Sequence, residues 1–167
     1  MHHTLVALVE DKPGVLNRVA NLFRRRAFNI ESLTVGHTEI AGISRMTVVV
    51  DTDEYGARRL EAHLYKLVPC RRVDNITASA SIARDLALVK VAVAGHDRAH
   101  LLRVVDETRA HIVDSGDQTM TLEITGEPPH VDAVIERLAP LGIIEMVRTG
   151  QVAMRRGDSA LSTAQYS

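Results

Sequence analysis

The spacing of apolar residues along the chain switches between short strand-like runs and the three-to-four-residue repeat of helices. The apolar run 3–9 predicts a strand, and the charged and turn-forming segment 10–14 ends it. Apolar positions then recur at helical spacing over 15–23, which predicts a helix. The segments 29–37 and 44–50 resume strand patterns on either side of a turn.

A second helix and a fourth strand complete the unit. Asp51, Thr52 and Asp53 supply N-cap chemistry, apolar residues follow at i, i+4 and i+7, and Pro69 ends the helix before a strand over 70–77. The order strand, helix, strand, strand, helix, strand is that of a ferredoxin-like βαββαβ domain, an α+β fold. The strands are nearly continuous in apolar residues, so we expect the second sheet face to be partly covered, for example by another copy of the chain.

The second half of the chain repeats this pattern. Met46-Thr47-Val48 recurs as Met120-Thr121-Leu122, an offset of 74 residues. The same offset relates five further pairs: Asp53 and Glu127, Leu60 and Val134, Leu64 and Leu138, Leu67 and Leu141, Val73 and Val147. The repeat predicts two ferredoxin-like domains, at 1–77 and 84–156, with a small-residue linker at 78–83. The aperiodic end, 157–167, is predicted to be a mobile tail.

Composition and charge exclude several classes of partner. The chain of 167 residues has 20 Lys and Arg against 21 Asp and Glu, no Trp and five other aromatic residues, so neither DNA binding nor base stacking is favoured. The basic run at 24–26 follows a helical stretch and is interpreted as a helix C-terminus. No apolar run is long enough to cross a membrane, the first residues lack a signal-peptide pattern, and there is one cysteine; we expect a cytoplasmic protein.

Enzyme motifs are missing. The glycine-rich phosphate loops, the G-x-S-x-G elbow and the H-E-x-x-H motif do not occur. His96 and His100 have a spacing that can share one metal ion, but no third ligand lies in the local pattern, and an exposed helix start is favoured over a metal site. Cys70 has no His near it in sequence to activate it as a nucleophile. These absences favour a binding or regulatory module.

The turn 10–16 is the one candidate ligand site that the residues suggest. A helix start exposes unpaired N–H groups, so Gly14, Val15 and Leu16 can receive a carboxylate, while Asp11 can attract an ammonium group. Together they suit a free amino acid. The alternative is an ordinary turn in which Asp11 caps the helix and Pro13-Gly14 makes the bend, and the turn by itself favours that alternative.

Longer segments resemble a known family. The segment 28–36 (FNIESLTVG) and the following 44–47 (SRMT) closely resemble the regulatory, or small, subunit of acetolactate synthase, also called acetohydroxyacid synthase. The resemblance continues through 63–68 and 84–91 and covers most of residues 1–156. It implies an N-terminal ACT domain and a C-terminal ferredoxin-like domain.

The resemblance also implies a partner and an effector. The family's small subunit acts as a homodimer on a separate catalytic large subunit, which uses thiamine diphosphate, magnesium and FAD, and it binds none of these cofactors itself. It raises the activity of that subunit and confers feedback inhibition by branched-chain amino acids, usually valine. A stand-alone ACT-type amino-acid sensor and an independent small enzyme are the alternatives.

The family's site residues transfer by position. Asp11, Gly14, Val15 and Leu16 match the turn that holds the effector's carboxylate and amine, and Asn29 and Ile30 match the strand that closes the site from the neighbouring subunit. The resemblance therefore reverses the preference for an ordinary capped turn. Two positions depart from the family: Asn is common where Asp11 stands, and Gly where Ala27 stands. If the backbone at Ala27 requires a positive φ, the alanine is strained.

Overall fold

A computed structural model of the chain describes residues 1–93 and 98–161, which form two compact units. The first unit contains residues 1–82 and 151–161, and the second contains residues 83–150. Among the described residues, no helix has the length and apolar character needed to cross a bilayer. Each unit is built on one antiparallel sheet.

The first unit has the predicted ferredoxin-like order. Its elements are β1 (His2–Glu10), α1 (Val15–Arg25), β2 (Ile30–His37), β3 (Ile43–Asp51), α2 (Glu54–Tyr65) and β4 (Cys70–Asn75). The strands lie in the order β2-β3-β1-β4, so β2 and β4 are the edges. Asp53 caps α2 as predicted, because its carboxylate accepts a hydrogen bond of 2.7 Å from the N–H of Gly56. Both helices pack on one face of the sheet around a buried apolar core that includes Leu5, Val19, Phe23, Met46 and Leu60.

The second unit repeats the architecture. Its elements are β5 (Ser81–Ala92), α3 (Arg98–Thr108), β6 (His111–Ser115), β7 (Thr119–Gly126), α4 (Pro128–Leu138), a 3₁₀ turn (Ala139–Leu141) and β8 (Ile143–Arg148). The strand order β6-β7-β5-β8 is equivalent to that of the first sheet. The fold class, two ferredoxin-like α+β domains, is confirmed. β5 begins at Ser81, inside the segment predicted as a linker.

One pair of the predicted repeat does not hold. Val73 lies opposite Ala7 and is buried, whereas Val147 lies opposite Leu88 and is 61% exposed. A shift of one residue along a strand moves its side chains to the other face. The fixed offset therefore places Val147 on the wrong side of the sheet, although Met120, at the same offset from Met46, is buried as predicted.

The second face of the first sheet is covered by the chain itself. After β8 the segment 151–156, here called the C-terminal strap, returns to the first unit and forms a short strand, β9 (Val152–Arg155). The hydroxyl of Thr34 donates to the carbonyl of Gln151 at 2.6 Å, and the Arg45 guanidinium donates to the carbonyl of Ala153 at 2.6 Å. The Gln151 N–H donates to the Ser32 hydroxyl at 2.8 Å.

The strap explains the double-sided burial of the central strands. Val6, Leu8 and Val49 alternate with the core residues of β1 and β3, yet each is no more than 6% exposed. The sequence predicted that this face is partly covered, and a second copy of the chain was one example of what covers it. The predicted second domain, 84–156, includes the strap residues, which form hydrogen bonds with β2 and β3 of the first unit and pair with β5 through β9; the domain bounds stay a prediction. The predicted mobile tail, 157–167, falls partly outside the described residues.

We expect a chain that ends at Gly150 to lose about 2 kcal/mol of unfolding free energy in the first unit. The loss of several net hydrogen bonds and of apolar cover exceeds the conformational entropy that the removed segment regains. Tyr55 and Tyr65 lie on α2, so tyrosine fluorescence during urea unfolding reports on this unit. A chain that ends at Arg156 retains the strap and is the control; equal stability of the two truncated chains would contradict the role of the strap.

Candidate functional site

The turn between β1 and α1 has the geometry of an open helix start. Gly14 is the N-cap residue, in the left-handed region at φ 85° and ψ −8°, and no side chain caps the helix. A Cβ built on Gly14 has no heavy atom within 4 Å, so the space above the turn is open. The Val15 N–H donates to the Lys12 carbonyl at 3.3 Å, and the following N–H groups of the first turn have no carbonyl partner within the helix. The turn therefore presents donors, and the positive end of the helix dipole, to solvent.

Asp11 does not cap this helix. Its backbone N–H donates to the Gly42 carbonyl at 2.8 Å, and its carboxylate lies 3.2 Å from Nδ1 of His37. The interpretation of the turn as one capped by Asp11 is thus wrong, because the N-cap position belongs to Gly14. The Asp11 carboxylate is half-exposed beside the donors and can attract a cation.

His37 is the neighbour that sequence reasoning missed. It is far from Asp11 in the chain and lies largely exposed at the end of β2. The strand register explains why His37 lies close to Asp11, because Glu10 pairs with Ile43 and His37 pairs with Ser44. The ends of β1 and β2 are therefore brought together through β3.

Asn29 and Ile30 lie at the opposite end of β2. Ile30 pairs with Val50, while the Asn29 side-chain amide donates to the Glu31 carboxylate at 2.6 Å in an exposed position. Ile30 and His37 are seven residues apart along the strand, about 23 Å at the usual rise per residue. The six candidate residues thus fall into two half-sites, one at the β1–α1 turn and one at the start of β2, and a single chain does not bring these together.

The backbone at Ala27 does require a positive φ. Ala27 stands between α1 and β2 with φ 57°, in the region that favours glycine. We expect Ala27→Gly to raise the unfolding free energy by about 1 kcal/mol, because relief of the strain exceeds the added entropy of the unfolded chain. Arg109, at φ 56° between α3 and β6, is the matched position in the second unit.

Urea unfolding of Ala27→Gly and Arg109→Gly measures this effect, each in its own unit. A decrease in stability for Ala27→Gly would show that contacts of the methyl group outweigh the strain. Ala27 is exposed, so we expect few such contacts.

The other candidates for chemistry gain no support from the geometry. His96 lies outside the described residues, and the described part of the chain contains no group of three or more potential metal ligands. Burial raises the pKa of the Cys70 thiol to about 11, and its Sγ lies 3.6 Å from the Arg72 carbonyl. Cys70 is therefore a protonated thiol at neutral pH, which disfavours a nucleophilic role.

Comparisons with known proteins agree with the two-unit fold. The sequence model described as the AHAS small subunit-like ACT domain matches residues 5–69, and that of the small subunit of acetolactate synthase matches residues 84–157. The acetolactate synthase small subunit of Mycobacterium leprae is 41% identical over 163 residues, which cover 98% of this chain and 96% of that protein. The corresponding protein of Mycolicibacterium smegmatis is 40% identical over 163 residues, with 98% and 96% covered.

A solved structure gives the same result in three dimensions. The crystal structure of the acetolactate synthase small subunit from Thermotoga maritima superimposes with a TM-score of 0.88 at 36% identity, and the match covers 95% of this chain and 99% of that one. Sequence and fold therefore agree over nearly the whole length of the chain. The chain belongs to the acetolactate synthase small-subunit family, with an ACT domain in its first unit.

Proposed function

We propose that this chain regulates the catalytic large subunit of acetolactate synthase and that valine, or a related branched-chain amino acid, is its effector. It raises the activity of the large subunit when the effector is absent and inhibits that subunit when the effector binds. Thiamine diphosphate, magnesium and FAD belong to the large subunit, and the complex works in the cytoplasm. Family membership and the open donor turn at Gly14 support this function.

The separation of the two half-sites is the observation that carries the proposal. A strand at a sheet edge can pair with the same strand of a second copy, and a two-fold axis makes that pairing antiparallel. Antiparallel pairing of two β2 strands brings the Ile30 end of one copy to the His37 end of the other. Asn29 of one copy then lies beside the Asp11 and Gly14 turn of its neighbour, and a homodimer holds two complete sites.

The side chains around this seam suit an aliphatic α-amino acid. The N–H groups after Gly14 receive the carboxylate, and Asp11 attracts the ammonium group. Leu16 and Val35 are 49% and 43% exposed, and both are covered in the proposed dimer. The effector's aliphatic side chain packs with them instead of making directional bonds.

Asp11 and His37 adjust the strength of this site. The family commonly has the neutral Asn where this chain has Asp11, so the ammonium group meets an additional negative charge here. The His37 imidazole, whose Nδ1 is 3.2 Å from the same carboxylate, competes with the ammonium for it. This competition is part of the proposed function.

Acetolactate formation by the large subunit, measured with and without this chain across a valine titration, tests the proposal. We expect higher activity on mixing and a decrease as valine is added; leucine and isoleucine are run in parallel. Asn29→Ala retains the increase but weakens the response to valine. Valine binding without any effect on the enzyme would instead indicate a stand-alone sensor. No binding of any branched-chain amino acid to the folded dimer would refute the effector.

A further inference from the structure

The helix layer of the first unit contains a pocket lined by arginines and by no carboxylate. It is open to solvent beside α1 and has a volume of about 300 Å³. Its lining residues, here called the α1 arginine pocket, are Arg18, Asn21, Leu22, Arg25, Arg26 and Leu67. None of them belongs to either half-site of the proposed effector site.

The arginines of this pocket lack the ion pairs that seven other arginines form within the described residues. Helix α1 contains no acidic residue, and among residues 1–93 and 98–161 no carboxylate forms a salt bridge with Arg18, Arg25 or Arg26. By contrast, Arg58 pairs with Glu54 on α2. Positive charge is therefore concentrated at the pocket without a counter-charge from the described protein.

A nearby histidine responds to this charge. Burial lowers the pKa of His63 below its ordinary value, and the positive charges of Arg26, Lys66 and Arg59 lower it further. Because these positive charges lower the pKa of His63, the electrostatic potential between the C-terminal ends of α1 and α2 is positive. An anion that binds there is attracted by all of these groups.

Helix capping explains only part of this cluster. Arg25 and Arg26 stand at the C-terminus of α1, where cations interact favourably with the helix dipole. Arg18 lies about two turns earlier, on the same face by the i, i+7 spacing to Arg25, and gains nothing from that end of the dipole. Helix capping therefore does not account for the position of Arg18 in the lining.

We propose that the α1 arginine pocket binds a small ligand that carries a phosphate or pyrophosphate group. Guanidinium groups form bidentate, charge-assisted hydrogen bonds with phosphate oxygens, and three of them suit more than one negative charge. Leu22 and Leu67 supply an apolar surface beside these groups. The concave shape favours a small ligand over the broad, flatter contact that an acidic protein surface makes.

Isothermal titration of the full chain with inorganic pyrophosphate, at low and at physiological salt, tests this site. The double variant Arg25→Gln and Arg26→Gln removes two charges from the lining. The control, Arg58→Gln with Arg103→Gln, removes two charges from exposed helix positions that do not line the pocket. We expect at least about tenfold weaker binding for the first variant and a change within about twofold for the control.

The His63 imidazole supplies a second measurement, by NMR titration with and without pyrophosphate. A bound anion opposes the surrounding positive charge, so we expect the pKa of His63 to rise on binding. Absence of binding at low salt, or equal weakening in both double variants, would overturn the proposal. Binding of poly-glutamate without binding of pyrophosphate would also overturn it, and would point to an acidic protein surface.

Discussion

Gly14→Asp is expected to weaken valine binding by at least about a hundredfold, or about 2.7 kcal/mol. The new carboxylate stands at the N-cap position, where it accepts hydrogen bonds from the N–H groups that receive the effector's carboxylate. It also places a negative charge where the effector's own negative charge binds. The open space around Gly14 means that the side chain meets no heavy atom within 4 Å of its Cβ.

A matched control separates this effect from backbone strain. Gly142 also has a positive φ, 84°, and it ends the 3₁₀ turn of the second unit. Gly142→Asp therefore adds the same charge and a similar strain without occupying the helix start. Calorimetric titration with valine is expected to show near-normal affinity for this control. Normal valine affinity in Gly14→Asp would remove the β1–α1 turn from the site.

Arg148→Met is expected to lower the unfolding free energy of the second unit by about 4 kcal/mol. The Asp85 residue is 4% exposed, and its Oδ2 accepts a hydrogen bond from Arg148 Nε at 2.8 Å. Arg148 Nη1 also donates to Asp132 at 2.6 Å. Burial by itself lowers the pKa of the Arg148 guanidinium, but the bonds to Asp132 and Asp85 outweigh this and raise it. Removal of the guanidinium leaves the buried Asp85 carboxylate without its cation.

Urea unfolding compares this variant with Arg137→Met, which breaks the exposed pair between Arg137 and Glu107. We expect less than about 1 kcal/mol for that exposed pair. Adding Asp85→Asn to Arg148→Met removes the unpaired charge, and we expect it to restore part of the lost stability. An effect of Arg148→Met no larger than that of Arg137→Met would contradict the buried ion pair.

The sequence predicted the two ferredoxin-like units because their signals are local. The helical spacing over 15–23 and the Asp53 cap each lie within one element, and the structure has both. The C-terminal strap has no such signal, since β9 has four residues and its contacts, such as that between Arg45 and Ala153, are distant in sequence. A short strand held by distant partners leaves no periodicity to detect.

The candidate site likewise combines features that local sequence signals predict with contacts that they do not. The donor turn at Gly14 could be inferred from the unpaired N–H groups of helix termini. The strain at Ala27 was expected from comparison with the family if the backbone there has a positive φ, and its φ is 57°. The meeting of Asp11 and His37 depends on the register of three strands, which the sequence does not specify. The joining of the two half-sites depends on a second copy of the chain and remains a proposal.

Complementation between two defective chains tests that proposal most directly. Gly14→Asp damages the turn, and Asn29→Ala damages the strand that closes the site in the neighbouring copy. In a mixed dimer one site combines the intact turn of the Asn29→Ala chain with the intact strand of the Gly14→Asp chain, and the other site carries both defects. After random exchange of equal amounts, about one quarter of all sites are intact.

Calorimetric titration with valine counts those sites. Each variant alone is expected to bind weakly, and the exchanged mixture is expected to recover normal affinity at about one quarter of the wild-type stoichiometry. A mixture of unexchanged dimers is the control. Recovery shows that each effector site is shared between two chains; weak binding throughout, with mixed dimers confirmed by mass spectrometry, would contradict the shared site.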